Sequence, residues 1–77
     1  MEMGRRRLTE QLVRSVLLEP EQELPIRSGR IVLQSKIVME EGKTFLIRVF
    51  VDVDRDPAEV VTAYRTSKIP KYWKEKP

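Results

Sequence analysis

The stretch "TAYRTSKIPKYW", residues 62–73, brings together the residue types that contact nucleic acids. It contains both tyrosines of the chain, its only tryptophan and three basic residues. Lys and Arg neutralise phosphates, and an exposed aromatic ring stacks on an unpaired base, which is worth about 1–3 kcal/mol per base. One interpretation is therefore a site whose phosphate ligands and stacking rings are, in chain order, Tyr64, Arg65, Lys68, Lys71, Tyr72 and Trp73.

A structural role is the alternative for the same stretch. Ile69, Tyr72 and Trp73 would then fold over the open end of a sheet and bury apolar area, while the lysines point to water. Arg48 also has two interpretations, because it lies within an otherwise apolar stretch. It is either an ordinary arginine on the solvent face or a charge held rigidly beside the tail, where a site would use it.

The basic residues are concentrated at the two ends of the sequence. Residues 1–7 hold three basic residues and one acidic residue, and residues 65–77 hold five and one. Residues 8–64 hold seven basic and ten acidic residues, so the middle is acidic although the net charge is +3. Clustered Lys and Arg are typical of a phosphate-binding surface, and a lysine-rich end that only keeps the chain hydrated is the alternative.

Several other chemistries fit the sequence poorly. The chain has no Cys and no His, which excludes disulfides, thiol chemistry and the commonest general base. Asp52, Asp54 and Asp56 alternate, but Pro57 follows at once and the glycine and final glutamate of a calcium-binding loop are missing. We therefore expect a turn at this point, and no metal or cofactor.

Length and composition indicate one globular domain over residues 1–77, with residues 1–7 as a basic N-terminal arm. The chain is 40% apolar and 35% charged, and no apolar run approaches the roughly 20 residues of a membrane span. No signal peptide is recognisable, so a cytoplasmic protein without membrane contact is expected. A core this small makes a stabilising partner or a homodimer plausible.

Apolar spacing predicts the secondary structure. A stripe typical of an amphipathic helix ends near residues 18–19, with Thr9 as its cap; its members are Leu8, Leu12, Val13, Val16 and Leu17. Residues 21–29 are expected to form a loop or a short edge strand, because Pro25 lies among them.

From residue 30 the apolar residues alternate as in strands. One strand shows Ile31, Leu33, Ile37 and Met39 on one face, and Gly42 suits the hairpin turn that follows. The next strand has an apolar face that should meet the helix, made of Phe45, Ile47, Val49, Val51 and Val53. A third strand lies near residues 58–66. The predicted fold is α+β, with an N-terminal amphipathic helix on an antiparallel meander of three or four strands, followed by a short basic and aromatic C-terminal tail.

The segments "VLLEP", "GRIVLQSKI", "FLIRVFVDV" and "EVVTAYRTSKIPKYW" occur in that order. Together they resemble a bacterial and archaeal family of small domains of unknown function, usually placed near the RelE/ParE-type toxins of toxin–antitoxin pairs. The resemblance covers residues 8–73 and implies a RelE-like fold. The family pattern has an earlier helix with a His near its start, and neither is present in this sequence. We expect that the chain starts at an internal Met or has lost that helix, and that a partner chain covers the face so exposed.

The resemblance implies two functions. RelE-type members cleave messenger RNA on the ribosome, which would make Arg65, Lys68 and Arg48 catalytic cations around the scissile phosphate. Lys71, Tyr72 and Tyr64 would contact the RNA, and a lysine of lowered pKa or a carboxylate would accept the proton. ParE-type members bind a protein target instead, and either type implies a cognate antitoxin. A non-catalytic protein-interaction or structural domain is the third hypothesis.

Overall fold

The computed structural model describes residues 8–39 and 42–75. Its elements in chain order are α1 (Glu10–Leu18), β1 (Gln22–Arg27), β2 (Arg30–Val38), β3 (Thr44–Asp52), β4 (Glu59–Thr66) and a single helical turn, α2 (Ile69–Tyr72). All pairings are antiparallel and the strand order is β1-β2-β3-β4, so each strand pairs with its neighbour in sequence. The predicted α+β class is confirmed, and the sheet has four strands, the larger of the two numbers expected. The basic arm predicted at residues 1–7 lies outside the described residues.

The first helix begins at a polar cap and is held to the sheet by its apolar stripe. Thr9 has an extended backbone, and its Oγ1 accepts a 3.0 Å hydrogen bond from the Leu12 amide. This bond pairs one of the amides that have no partner within the helix, as predicted for an N-cap. Val13 and Val16 are the buried residues of the helix, and they contact the β2–β3 part of the sheet.

The core lies between α1 and one face of the sheet. Ile47 and Val49 on β3 are fully buried there, as the uninterrupted apolar alternation of that strand predicts. Phe45 is half-buried against the same cluster. Val53, expected on this face too, is instead 46% exposed, because β3 ends at Asp52 and the alternation of faces ends with the strand.

The strand connections follow the turn residues of the sequence. Gly42 has a φ of +78°, the left-handed conformation expected of the β2–β3 hairpin turn, and Gly29 has a φ of +85° between β1 and β2. The segment around Pro25 forms β1, an edge strand whose register with β2 shifts between Pro25 and Arg27. Of the helices among the described residues, neither is both long and apolar enough to cross a membrane.

Charged residues close one end of the sheet. The guanidinium of Arg30 donates to both carboxylate oxygens of Asp52, at 2.5 and 3.1 Å, and Arg55 lies 3.6 Å from the same carboxylate. These contacts hold the pKa of the Asp52 carboxyl below its ordinary value, mainly through the hydrogen bonds from Arg30. Asp52 therefore belongs to an ion-pair cluster with Arg30 and Arg55. The cluster lies beside the turn predicted at residues 54–57.

The lowered pKa of Asp52 predicts a specific dependence of stability on pH. A carboxylate with a lower pKa in the folded chain stabilises the fold above its unfolded pKa of about 4, and this contribution disappears as the pH falls through the folded-state pKa. Asp52→Asn should therefore lower the melting temperature at neutral pH, and the difference should shrink in acid. Asp56→Asn is the control, because Asp56 is exposed. A difference between Asp52→Asn and the parent that stays constant into acid would contradict this role.

Candidate nucleic-acid interface

The face of the sheet opposite α1, here called the outer face, carries a line of polar side chains across all four strands. In the strand register, Gln22 lies opposite Gln34, Gln34 opposite Arg48, and Arg48 opposite Tyr64. Residues directly opposite each other in an antiparallel sheet share a face, so these four side chains form one line, the polar row.

Hydrogen bonds join the polar row into a chain. Gln34 donates from Nε2 to Gln22 Oε1 at 2.8 Å and accepts at Oε1 from Arg48 Nε at 2.9 Å. Arg48 Nη1 then donates to the Tyr64 hydroxyl at 2.9 Å. Within the described part of the chain, no buried side-chain nitrogen or oxygen lacks a partner. The row is therefore a fully hydrogen-bonded polar layer of the kind that holds a buried interior in one arrangement.

Arg48 is the centre of this layer, and its interpretation as a solvent-face arginine is wrong. Its side chain is 8% exposed, and its guanidinium carbon lies 4.3 Å from the ring centre of Tyr72 and 5.2 Å from that of Phe50. Cation–π contacts of this kind favour a positive charge among aromatic rings. Arg48 thus lies beside the C-terminal tail, and its Nε and Nη1 donate to Gln34 and Tyr64 within the protein.

The C-terminal segment, residues 67–75, leaves β4 at one edge of the sheet and crosses the outer face to β1 at the other edge. Its main chain binds the polar row at two places. Gln34 Nε2 donates to the Tyr72 carbonyl at 3.2 Å. The side-chain amide of Gln22 donates to the Lys74 carbonyl at 2.7 Å and accepts from the Lys74 amide at 3.1 Å. The backbone of the segment is therefore bound directly by the side chains of Gln22 and Gln34.

The aromatic residues of this segment lie against the sheet rather than free in water. Tyr72 and Trp73 are both half-buried, and the ammonium of Lys36 lies 4.0 Å from the centre of the Trp73 ring. Ile69 is half-buried too. This is the arrangement that the structural interpretation of the tail predicts. Pro70 lies in the first turn of α2, where no helical hydrogen bond needs its missing N–H, so a single turn forms around it.

The three residues predicted as catalytic do not converge. Arg65 lies opposite Ile47 and therefore on the α1 side of the sheet, where its guanidinium carbon is 4.2 Å from the Phe45 ring centre. Lys68 is exposed just before α2. The structure does not bring Arg65 beside Arg48, because successive residues of a strand point to opposite faces and it is Tyr64 that faces Arg48.

The two tyrosines predicted to contact RNA are neighbours on the outer face. Tyr64 stacks on Phe50 with ring centres 6.1 Å apart, and Tyr72 meets Tyr64 edge-on at 6.5 Å. The pKa of the Tyr72 phenol lies below its ordinary value, first because the Tyr64 hydroxyl acts as a hydrogen-bonding neighbour and then because Lys71 and Arg48 carry positive charge nearby. Both rings therefore already serve as partners for groups within the protein.

Four exposed lysines surround the C-terminal segment: Lys36, Lys68, Lys71 and Lys74. Among the described residues, none of the four pairs with a carboxylate. Lys36 was not among the site residues predicted from the sequence, although strand alternation places it on the same face as Arg48. Alternation does not show that the C-terminal segment places the Trp73 ring against the ammonium of Lys36. These lysines form the most basic surface next to the aromatic residues.

Comparisons of the chain with protein-family models, with curated proteins and with solved structures found no match. The family resemblance and the toxin hypotheses that depend on it therefore stay predictions.

Proposed function

We propose that the protein is an RNA-binding module that contacts phosphates through the lysines around its C-terminal segment. The observation that carries this proposal is the exposure of Lys36, Lys68, Lys71 and Lys74 without carboxylate partners among the described residues. A lysine with no internal ion pair is free to replace the counterions of a phosphate backbone, and release of those counterions drives binding. Lys68 is the N-cap residue of α2 and Lys71 lies within α2, so the two lysines are close together in the chain.

The geometry supports binding better than cleavage. Phosphodiester cleavage needs cations that converge on one phosphate and a group that accepts the proton of the attacking hydroxyl. Arg48 is buried, with Nε and Nη1 donating to Gln34 and Tyr64, and Arg65 lies on the other side of the sheet. A binding surface has no such requirement, since each lysine contacts a different phosphate independently.

The proposed contact is electrostatic and tolerant of sequence. Tyr72 and Trp73 are half-buried and packed against Arg48 and Lys36, so they add a limited apolar surface beside the lysines. Each phosphate contact with a single strand contributes about −0.7 to the slope of log K against log salt. Three or four contacts therefore predict a slope of about −2 to −3, with similar affinities for unrelated RNA sequences.

We expect the double variant Lys68→Ala/Lys71→Ala to bind RNA about tenfold more weakly at moderate salt and to reduce the salt slope by about 1 to 1.5, because two phosphate contacts are lost. The melting temperature should change little, since exposed charges contribute little to stability. Fluorescence anisotropy of a labelled, unstructured RNA, repeated over a series of salt concentrations, measures both quantities.

The matched control is Arg14→Ala/Arg27→Ala, which removes the same number of positive charges from exposed residues of α1 and β1. Its affinity should stay close to that of the parent protein. Equal losses in the two double variants would show that only net charge matters, and absence of binding by the parent at low salt would overturn the proposal. RNA recovered as shorter fragments would instead favour the cleavage hypothesis.

A further inference from the structure

The two edges of the sheet differ in how well they resist pairing with another strand. On β1, Pro25 lacks an N–H and the register shifts next to it, two features that discourage addition of a strand. On β4, the register irregularity lies near the start, and Thr62–Thr66 pair regularly with β3 and contain no Pro. Within the described part of the chain, no backbone hydrogen bond reaches β4 from its outer side. Strand β4 is therefore the open edge.

The side chains of β4 suit a partner strand. Val61, at the register irregularity, is 37% exposed although it is apolar, and Thr62 beside it is exposed. Valine and threonine favour strands because their branched side chains pack well against those of a neighbouring strand. Pairing along β4 would cover the exposed part of Val61.

The charges that flank β4 indicate what the partner is. Before and at the start of the strand, residues 54–59 hold three acidic residues and one basic residue. At its end and beyond, residues 65–71 hold three basic residues and no acidic one. An antiparallel pair of two such strands places the acidic end of each copy beside the basic end of the other. A parallel pair would place like charges together, which costs free energy.

We propose that the outer edge of β4 pairs antiparallel with β4 of a second copy of this chain, so that the two four-stranded sheets become one continuous sheet. The pairing is symmetric, because each copy offers the same edge, and a two-fold axis generates a closed dimer. That axis stands perpendicular to the sheet, so both outer faces lie on the same side of the dimer. The proposal does not rest on RNA binding.

The first test is Val61→Lys, because a lysine on an edge strand opposes pairing. Its control is Leu18→Lys, which makes the same chemical change at an apolar residue that is 74% exposed on α1, away from the sheet edge. By sedimentation velocity over a series of concentrations, we expect the parent protein and Leu18→Lys to dimerise equally. Val61→Lys should dimerise roughly two- to thirtyfold more weakly, because the symmetric dimer loses the same cross-strand contact twice.

The second test reverses the flanking charges at two exposed residues, Asp56 and Lys68. Asp56→Lys and Lys68→Glu should each weaken the dimer, and the double variant should restore it, because opposite charges then face each other again. Both substituted residues are exposed, so neither single variant should unfold the protein. Thermal melting checks that each variant is folded, so that weaker dimerisation is not mistaken for unfolding. A monomeric parent protein, equal behaviour of Val61→Lys and Leu18→Lys, or a double variant weaker than both single variants would each overturn the proposal.

Discussion

Ile47→Ala is expected to lower the free energy of unfolding by about 2–5 kcal/mol, which is a large part of the stability of a small domain. Ile47 is fully buried in the middle of β3, on the face that packs against α1. Removing three carbons there loses apolar burial and leaves a cavity that a close-packed core closes only in part. Chemical denaturation followed by circular dichroism gives the change.

Two controls make this expectation specific. Ile47→Val removes one methylene and should cost only about 0.5–1.5 kcal/mol. Ile26→Ala makes the same change as Ile47→Ala at a residue that is 45% exposed on β1, and its cost should be clearly smaller. If Ile26→Ala were as destabilising as Ile47→Ala, the core would not lie between α1 and the sheet.

Arg48→Ala is expected to destabilise the protein by about 2–4 kcal/mol, although it removes a charged residue. The change leaves Gln34 Oε1 without its donor in a fully buried place, and it takes the cation away from the Tyr72 ring. An unpaired buried oxygen costs about 1–3 kcal/mol by itself, and the lost packing adds to this. The same denaturation experiment measures the total.

The variant Arg48→Lys separates charge from geometry. Lysine keeps the positive charge but cannot donate in the two directions that reach Gln34 and Tyr64, so an intermediate loss is expected. Arg14→Ala, at an exposed arginine of α1, should change stability by less than about 0.5 kcal/mol. Trp73, the only tryptophan, reports through its fluorescence whether the C-terminal segment has left the sheet. A loss of stability no larger for Arg48→Ala than for Arg14→Ala would contradict the role of the polar row.

Local periodicity was sufficient to predict the layers of the fold. The burial of Ile47 and Val49 follows from an alternation that is visible within a few residues of β3, and the cap at Thr9 follows from its own neighbours. The end of that strand was less predictable. Val53 continues the apolar alternation in sequence but lies beyond the last paired residue, Asp52, whose carboxylate is held by Arg30.

The polar row was not predictable in the same way, because it depends on three strand registers at once. Alternation places Gln34 and Arg48 on the outer face, but only the register shows that they are neighbours and that Gln22 and Tyr64 extend the line. The alternation of Tyr64 and Arg65 did hold the information that they face opposite ways. The sequence does not show, however, whether Tyr64 or Arg65 lies opposite Arg48, and only the register of β3 and β4 shows that it is Tyr64.

The C-terminal segment was ambiguous because its composition suits two roles. Basic and aromatic residues are equally compatible with a nucleic-acid surface and with the closure of a small sheet. Composition does not show that the main chain of Tyr72 and Lys74 pairs with glutamine side chains of the sheet. The segment packs against the sheet, and its lysines remain exposed. The structural interpretation therefore does not exclude binding of RNA by these lysines.

The polar row also has a consequence for the order of folding that we expect. It takes one residue from each strand, so the surface that receives the C-terminal segment exists only after all four strands have paired. The contact between Gln22 and Lys74 joins residues 52 positions apart, whereas the hairpins close over much shorter distances. Contacts between residues so distant in sequence form late, since closing the longer loop costs more entropy. We therefore expect the hydrogen bonds of Gln22 to this segment to slow unfolding more than they speed folding.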